Sequence, residues 1–402
     1  MKNNEIPFDF DEILEKDSCP DSEAEGKKEA GARITYPTGS DPDDVWAHYY
    51  YQTVTEVREK EVSPLRLRVI DHEEAFEFWH SLSKSKAEGV ERTRECFRIL
   101  LDILISSNPA DLFTVPLAPT PEPSSLEMLA AEFPHFFRAG VIDALFENCV
   151  LAKAGDGVAT FDPILLVGDP GVGKTRFFRR LAHIFGIRST FEIDCAIASA
   201  TWILSGLASS WAGSKPGEVF TLLTSYRGGL GNPLLFLDEL DKVHIEREES
   251  PVQTLYTLLE PESARRFRDE YCPIRIDASR IMWVAAANSL DPVPLPIRSR
   301  FRVFSISMPT SREKKGIARS IWSELRTNAW GHFFADSLSS KVLDILTPLS
   351  PREMRIRLKS AAPRAFMRTR HKGPGSCEIR PEDFRISQKC DEDRRTSIGF
   401  RV

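Results

Sequence analysis

The chain has 402 residues, of which 42% are apolar and 28% charged, with a net charge of −6, a composition that supports two or three folded units. Its seven cysteines form no CxxC pair and its eight histidines no HExxH, so disulfide-framework and zinc-enzyme classes are set aside. No run approaches the roughly 18 apolar residues of a membrane span, and Met1–Phe10 lacks the basic start and apolar core of a secretory leader; a reducing cytoplasm and no membrane are expected.

Charge is unevenly laid out along the chain. Residues 1–45 hold 13 Asp/Glu against 5 Lys/Arg, an acidic and apolar-poor start that predicts disorder over 1–40. Residues 41–108 carry helical signals: Asp71 is placed to cap a helix through Ala75, Phe78, Trp79 and Leu82, and a second apolar stripe runs over 90–105. The cluster Trp46–Tyr51 is read as core packing, with a docking face as the competing reading. Pro109, Pro116, Pro119, Pro121 and Pro123 mark 109–125 as a linker.

From residue 126 the pattern changes. One or two helices, interrupted at Pro134, lead to the apolar run Pro163–Val167, and similar short runs recur at 234–237 and 281–286 with helical segments between. Strands alternating with helices predict an α/β fold, a parallel sheet covered on both faces, over 126–308. The pattern then turns helical, at 311–325, 336–346 and 351–366, predicting a small helical subdomain over 309–370 and a polar tail over 371–402. Residues 352–402 hold 14 Lys/Arg against 7 Asp/Glu. A solvated helix with a frayed end is the expected meaning of that basic stretch, and contact with nucleic acid the competing one.

Directly after the first buried strand stands Gly168-Asp169-Pro170-Gly171-Val172-Gly173-Lys174-Thr175, the pattern GxxxxGK[ST]. Glycines let backbone N–H groups turn inward around phosphate without a clashing Cβ, and the helix that follows adds positive partial charge at its start. Lys174 is expected to reach the β- and γ-phosphates, and the Thr175 hydroxyl to ligate Mg²⁺. Asp169 is at odds with a triphosphate unless it points outward. Farther on, Leu234–Leu237 ends in Asp238 and Glu239, two carboxylates at the end of an apolar strand. Asp238 suits a magnesium-holding role and Glu239 that of orienting and polarising the attacking water.

These residues, read through Leu240-Asp241-Lys242, resemble the ATPase module of Lon-type AAA+ proteins over about 133–366, with LLVGDPGVGKT, WAGSKPGEVF, NPLLFLDELDKV, LYTLLEPE, WVAAANSLDPVPLPIRSRFRV and SPREMR in family order. The resemblance implies a P-loop NTPase sheet with a helical lid, ATP with Mg²⁺ as cofactors, and a homo-oligomeric, six-membered ring acting on a protein substrate or adaptor. It implies that Asn288 is the sensor-1 residue, that Arg300 is the arginine finger given to a neighbouring subunit, with Arg298 left open as competitor, and that Arg352 is the sensor-2 arginine. It also implies that Trp211-Ala212-Gly213 is the loop that grips a translocating polypeptide, with Trp in place of the usual Tyr and Ala as the middle residue departing from the pattern. Adenine contacts are expected near Phe136. Only about 36 residues follow Phe366, too few for the Lon peptidase domain, so remodelling without intrinsic proteolysis is expected. The competing function is a nucleotide-gated switch or loader on DNA-bound complexes.

Overall fold

The computed structural model describes residues 66–84, 90–91, 93–94, 114–187, 190–196, 202–224, 230–243, 252–369 and 375–384. The expected disordered start, the Trp46–Tyr51 cluster and most of the 90–105 stripe lie outside them.

Five parallel strands form the central sheet: β3 (Ile164–Val167), β4 (Phe191–Asp194), β5 (Leu234–Asp238), β8 (Met282–Ala287) and β9 (Arg302–Ser305), in the order β4-β5-β8-β3-β9. Successive side chains of a strand point to opposite faces, and the buried residues sort that way. Ile164, Leu166, Leu234, Phe236, Met282, Val284 and Ala286 enter one apolar cluster. Leu165, Leu235, Leu237, Trp283, Ala285 and Ala287 enter the other. Both faces being buried explains why these strands read as unbroken apolar runs.

The first face is covered by α2 (Pro123–Glu132), α3 (Pro134–Arg138), α4 (Val141–Ala154) and α5 (Lys174–Ile184). They bring Leu129, Phe136, Leu145, Phe177, Phe178 and Leu181 to it. The opposite face is covered by α7 (Glu218–Leu223), which follows the short α6 (Trp202–Ser205), by α8 (Val252–Leu258) and α9 (Pro261–Ala264), and by the two-stranded hairpin β6 (Phe267–Arg268) and β7 (Arg275–Ile276). The N-terminal helix α1 (His72–Lys84) joins that face through Ala75, Trp79 and Leu82, and Asp71 caps it by accepting from the Glu73 and Glu74 amides at 3.0 and 3.1 Å.

Two expectations need correction. The region 41–108 is not helical throughout, because β1 (Arg66–Arg68) pairs antiparallel with β2 (Thr114–Pro116). The proline-rich stretch 109–125 is not a free linker over its described part. Prolines cannot donate, but carbonyls and neighbouring amides still pair. Pro116 O accepts from Gly231 N at 2.8 Å, Ala118 O from Ala159 N at 3.0 Å, and Thr120 N donates to Gly157 O at 2.9 Å.

The helical lid is α11 (Ser311–Arg326), α12 (Ser340–Leu346) and α13 (Pro351–Thr369), packed around Trp322, Leu343, Met354 and Leu358. Thr310 starts it with a capping box to Glu313. The tail also needs correction: Cys377 and Ile379 are buried in the lid core, Ala335 N donates to Cys377 O at 2.9 Å, and Asp383 accepts from Arg368 Nη2 at 2.9 Å. Residues 375–384 are therefore a lid strap; the tail beyond them lies outside the described residues. Among the described residues no helix is long and apolar enough to cross a membrane.

Asn232 is the fully buried knot between the sheet and the β2 strap. Its amide accepts from Ala118 N at 2.7 Å and donates to Ala118 O at 3.0 Å and Ala159 O at 2.9 Å. Asn232→Ala strands these buried backbone groups and is expected to cost about 2–4 kcal/mol, read as a lower urea midpoint; a loss under about 0.5 kcal/mol would refute the role.

Candidate nucleotide site

The glycine-rich loop leaves β3 at Gly168 and enters α5 at Lys174. A Cβ on Gly168 would meet Ile306 O at 2.4 Å, so only glycine fits beside β9. Gly171 and Gly173 take φ of +81° and +108°, the left-handed region that bends the loop around a phosphate-sized hollow. Asp169 is exposed at the loop's outer side, which removes the conflict its charge posed in the sequence.

Lys174 is 8% exposed, and its Nζ donates to Gly168 O at 2.6 Å and Asn288 Oδ1 at 3.0 Å. Burial pushes its pKa below the ordinary lysine value, while Asp238, Asp241, Asp169 and Glu239 draw it back up. Thr175 Oγ1 donates to Asp238 Oδ2 at 3.0 Å, across the ends of α5 and β5. The other Asp238 oxygen accepts from Glu239 N at 2.9 Å. Hydroxyl and carboxylate oxygens facing one another form the hard donor set that magnesium takes alongside phosphate oxygens.

Glu239 holds φ 53° and ψ 43°, the one positive φ outside glycine among the described residues. That conformation carries strain for a residue with a Cβ. The Asp238 bond to its amide and the burial of Leu240 and Asp241 immediately after hold it there. Asp241 was not singled out from sequence as a site residue. It is buried, and its Oδ1 accepts from Asn288 N at 3.1 Å, fixing the sensor-position residue at the end of β8. Its spacing of three from Asp238 was the available signal, since a short turn after β5 returns that position toward β8.

One cavity of about 910 Å³ gathers these groups. Gly171, Gly173, Lys174, Thr175, Asp238, Glu239 and Asn288 line it from the sheet side, and Ile321, Glu324, Pro351, Arg352 and Arg355 from the lid. Pro170 lines it too, and Val172 turns inward to the core. Sequence reading missed Arg176, Arg180 and Arg355, which also line it. Each is tied to a carboxylate: Arg176 and Arg180 to Glu132 at 3.1 and 3.0 Å, and Arg355 to Glu324.

Three other sequence-derived residues lie elsewhere. Arg300 is not among the residues lining this cavity; its Nη1 donates to Pro296 O at 2.6 Å, its Nε lies 3.7 Å from Glu260, and its guanidinium lies 5.6 Å from the Tyr256 ring centre. Arg298 ends the short α10 (Leu295–Arg298). Trp211 is 65% exposed, flanked by exposed Ala212 and Gly213, on a loop whose neck is closed by Leu207 N donating to Lys215 O at 3.0 Å. A core role for Trp211 is thereby removed.

Phe136, near which adenine contacts are expected, is itself a core residue. It is fully buried and stacks on Phe177 with ring centres 4.4 Å apart, so exposing it would forfeit about 2–3 kcal/mol of burial. Its neighbour His135 lies under the loop instead, with Nε2 3.0 Å from Val172 O. Burial keeps that imidazole below its ordinary pKa. In the neutral ring Nε2 must carry the proton it gives to the carbonyl, which fixes the tautomer.

The Glu239 strain is measurable. Glu239→Gly is expected to raise stability by up to about 1 kcal/mol, as the left-handed cost disappears. A urea titration showing a fall of more than about 1 kcal/mol would mean that the side chain, not the backbone, dominates this position.

Residues 164–308 match the family described as "ATPase family associated with various cellular activities (AAA)". The Lon protease of Chloroherpeton thalassium is 32% identical over 185 residues, 46% of this chain and 22% of its own length. Lon protease 2 of Myxococcus xanthus is 35% identical over 158 residues, 39% of this chain and 19% of its own length. The chain thus spans about a fifth of the length of the curated relatives it matches. Among solved structures, Saccharomyces cerevisiae Hsp104 in an extended complex with casein aligns with a TM-score of 0.50 and 14% identity, covering 62% of this chain and 48% of that one, a likeness of fold alone. The strand-end geometry and the matched segment agree, and the chain carries an AAA+ ATPase module similar to that of Lon proteases.

Proposed function

We propose that this chain binds and hydrolyses ATP with magnesium as one subunit of a ring, and uses the cycle to remodel a polypeptide held at Trp211. The observation that carries the reading is the convergence of Lys174, Thr175, Asp238, Glu239 and Asn288 on one cavity that the lid closes over, with Arg300 outside it. Lys174 binds the terminal phosphates in exchange for Gly168 O, and its partial burial makes that charge count. Thr175 and Asp238 would hold magnesium, which when bound offsets charge on the phosphate oxygens. Glu239 and Asn288 orient water at the γ-phosphate, and Arg352 reaches phosphate from the lid.

Arg300 favours an assembly. A guanidinium absent from its own cavity lining, held by Pro296 O, Glu260 and the Tyr256 ring, would have to exchange those contacts to serve a neighbour's nucleotide. Trp211 favours a polypeptide as substrate, because an exposed indole on a closed loop offers a broad apolar surface for side chains. The Lon-type relatives and the casein complex of Hsp104 point the same way. Three arginines of the basic end are engaged within the fold: Arg355 is held by Glu324, Arg364 by Asp383 O at 3.0 Å and Arg368 by Asp383.

Two outcomes test the reading. Arg300→Ala is expected to keep binding a fluorescent ATP analogue while losing about a thousandfold in phosphate release; wild-type specific activity is expected to rise with protein concentration, and a flat profile refutes help from a neighbour. Trp211→Ala is expected to spare basal ATP turnover and lose its stimulation by casein, an unstructured polypeptide. Equal stimulation in both proteins removes Trp211 from substrate handling.

A further inference from the structure

A single buried carboxylate holds the base of the Trp211 loop. Asp269 is fully buried in the turn between β6 and β7. Its Oδ2 accepts from Gly217 N at 2.7 Å, and its Oδ1 from Tyr271 N at 2.8 Å and Cys272 N at 3.2 Å. The next residue holds the other end of the loop, as Glu270 N donates to Ser205 O at 2.6 Å. Residues 269 and 270 thus bracket 206–217 from both sides. The junction is too tight for side chains: a Cβ on Gly206, at φ +78°, would meet Asp269 Oδ1 at 2.6 Å, and one on Gly217 would meet Leu204 O at 2.3 Å.

The outer side of the same hairpin is held by the N-terminal segment. Glu74 Oε1 lies 3.0 Å from Arg275 Nε and 3.7 Å from Arg268 Nη2, and accepts from Arg275 N at 3.3 Å. Asp277 N donates to Val69 O at 2.8 Å, and Thr93 Oγ1 to Tyr271 O at 3.5 Å. Ile70 and Trp79 share an apolar cluster with Tyr271, Cys272 and Ile276 of the hairpin and with Leu204 and Val219 flanking the loop. The hairpin is therefore a plate with the N-terminal segment on one side and the loop on the other. Burying a carboxylate is costly, and burial pushes this carboxyl up to about 7 while the Gly217, Cys272 and Tyr271 amides pull it back. An apolar plug would fill the space, but it would leave those backbone donors without an acceptor.

We propose that Asp269 is a positioning residue for the Trp211 loop, and that the described N-terminal residues 66–84, 90–91 and 93–94 set the loop's position through the β6–β7 hairpin. A load on the N-terminal segment is then felt at Trp211 without passing through the nucleotide site. The link from Asp269 to the loop stands on the bonds above; its meaning for polypeptide handling rests on the reading of Trp211 under Proposed function.

Amide hydrogen exchange on the full-length protein tests the link directly. Asp269→Asn keeps the volume but replaces one acceptor oxygen by a donor facing amide protons. Glu74→Ala removes the outer clasp from a half-buried surface position and spares the fold if Asp269→Asn does not. Both variants are expected to speed exchange of the Leu207 and Gly217 amides by about tenfold, with β3, β5 and β8 unchanged. Both are also expected to keep the basal KM for ATP within about twofold while lowering casein-stimulated turnover. Unchanged exchange at Leu207 and Gly217 in Glu74→Ala overturns the N-terminal coupling, and unchanged exchange in folded Asp269→Asn overturns the positioning role. Faster exchange together with a Trp211→Ala protein that responds normally to casein upholds the link and refutes the substrate role of Trp211, so the two failures are distinguishable.

Discussion

Parallel register is the constraint on which the rest of the molecule depends. β3 pairs with β8 so that Val167 lies beside Ala287, and the two chains leave the sheet at one level, as Gly168 and Asn288. β5 pairs with the other edge of β8, Leu237 beside Ala285, so that Asp238 leaves the sheet on the same side. Every functional strand end therefore opens on one edge, because parallel strands deliver all their C-termini in the same direction. A shift of two residues in any one of them would move Asn288 or Asp238 by about 6.6 Å, beyond reach of Lys174 or Thr175.

The same register explains the electrostatics. Lys174 is brought among Asp238, Asp241, Asp169 and Glu239, yet bonds to a carbonyl and an amide oxygen rather than to a carboxylate. An ion pair there would compete with phosphate for the ammonium. The neutral oxygens satisfy it without neutralising it, so an incoming polyanion gains the full charge. Asp238 is spent differently, one oxygen on the Thr175 hydroxyl and the other on the Glu239 amide. That second bond helps hold Glu239 in its strained backbone, aimed into the cavity rather than along the strand. Stability is given up at a residue that lines the cavity, a common trade at functional sites.

Much of this was legible in the sequence because it is written in local pattern. Glycines at 168, 171 and 173 announce a turn, and the apolar runs ending at Val167 and Leu237 announce buried strands whose exits carry Lys174 and Asp238. β4 and β9 were not legible: Phe191–Asp194 and Arg302–Ser305 are edge strands with polar positions facing outward, so their apolar content is too low to stand out. The prolines of 109–125 read as a linker because sequence reports missing donors, whereas the structure uses the carbonyls and the amides between them. Phe136 carries no sign in the sequence of its stacking on Phe177, which places it in the core. Asp269 gave no signal at all, since its role depends on a loop more than fifty residues upstream in the chain.

The sheet also separates two tasks by face and edge. One edge holds the cavity groups, and lid residues line the cavity from the other side. One face carries the N-terminal segment, the β6–β7 hairpin and the helix that follows the Trp211 loop. The two meet in β5, whose Leu235 and Leu237 pack into that face while its last residue, Asp238, enters the cavity. Strand interiors are close-packed and transmit displacement instead of absorbing it. Leu237 shares its apolar cluster with Val219 and Leu223 of α7, the helix whose start, Gly217, is bonded to Asp269. The cavity edge and the N-terminal segment thus border the elements that flank the Trp211 loop by different routes, the first through β5 and α7, the second through the hairpin. The base of that loop is closed by the tight approach of Gly206, Gly217 and Asp269, which leaves no room there for a Cβ.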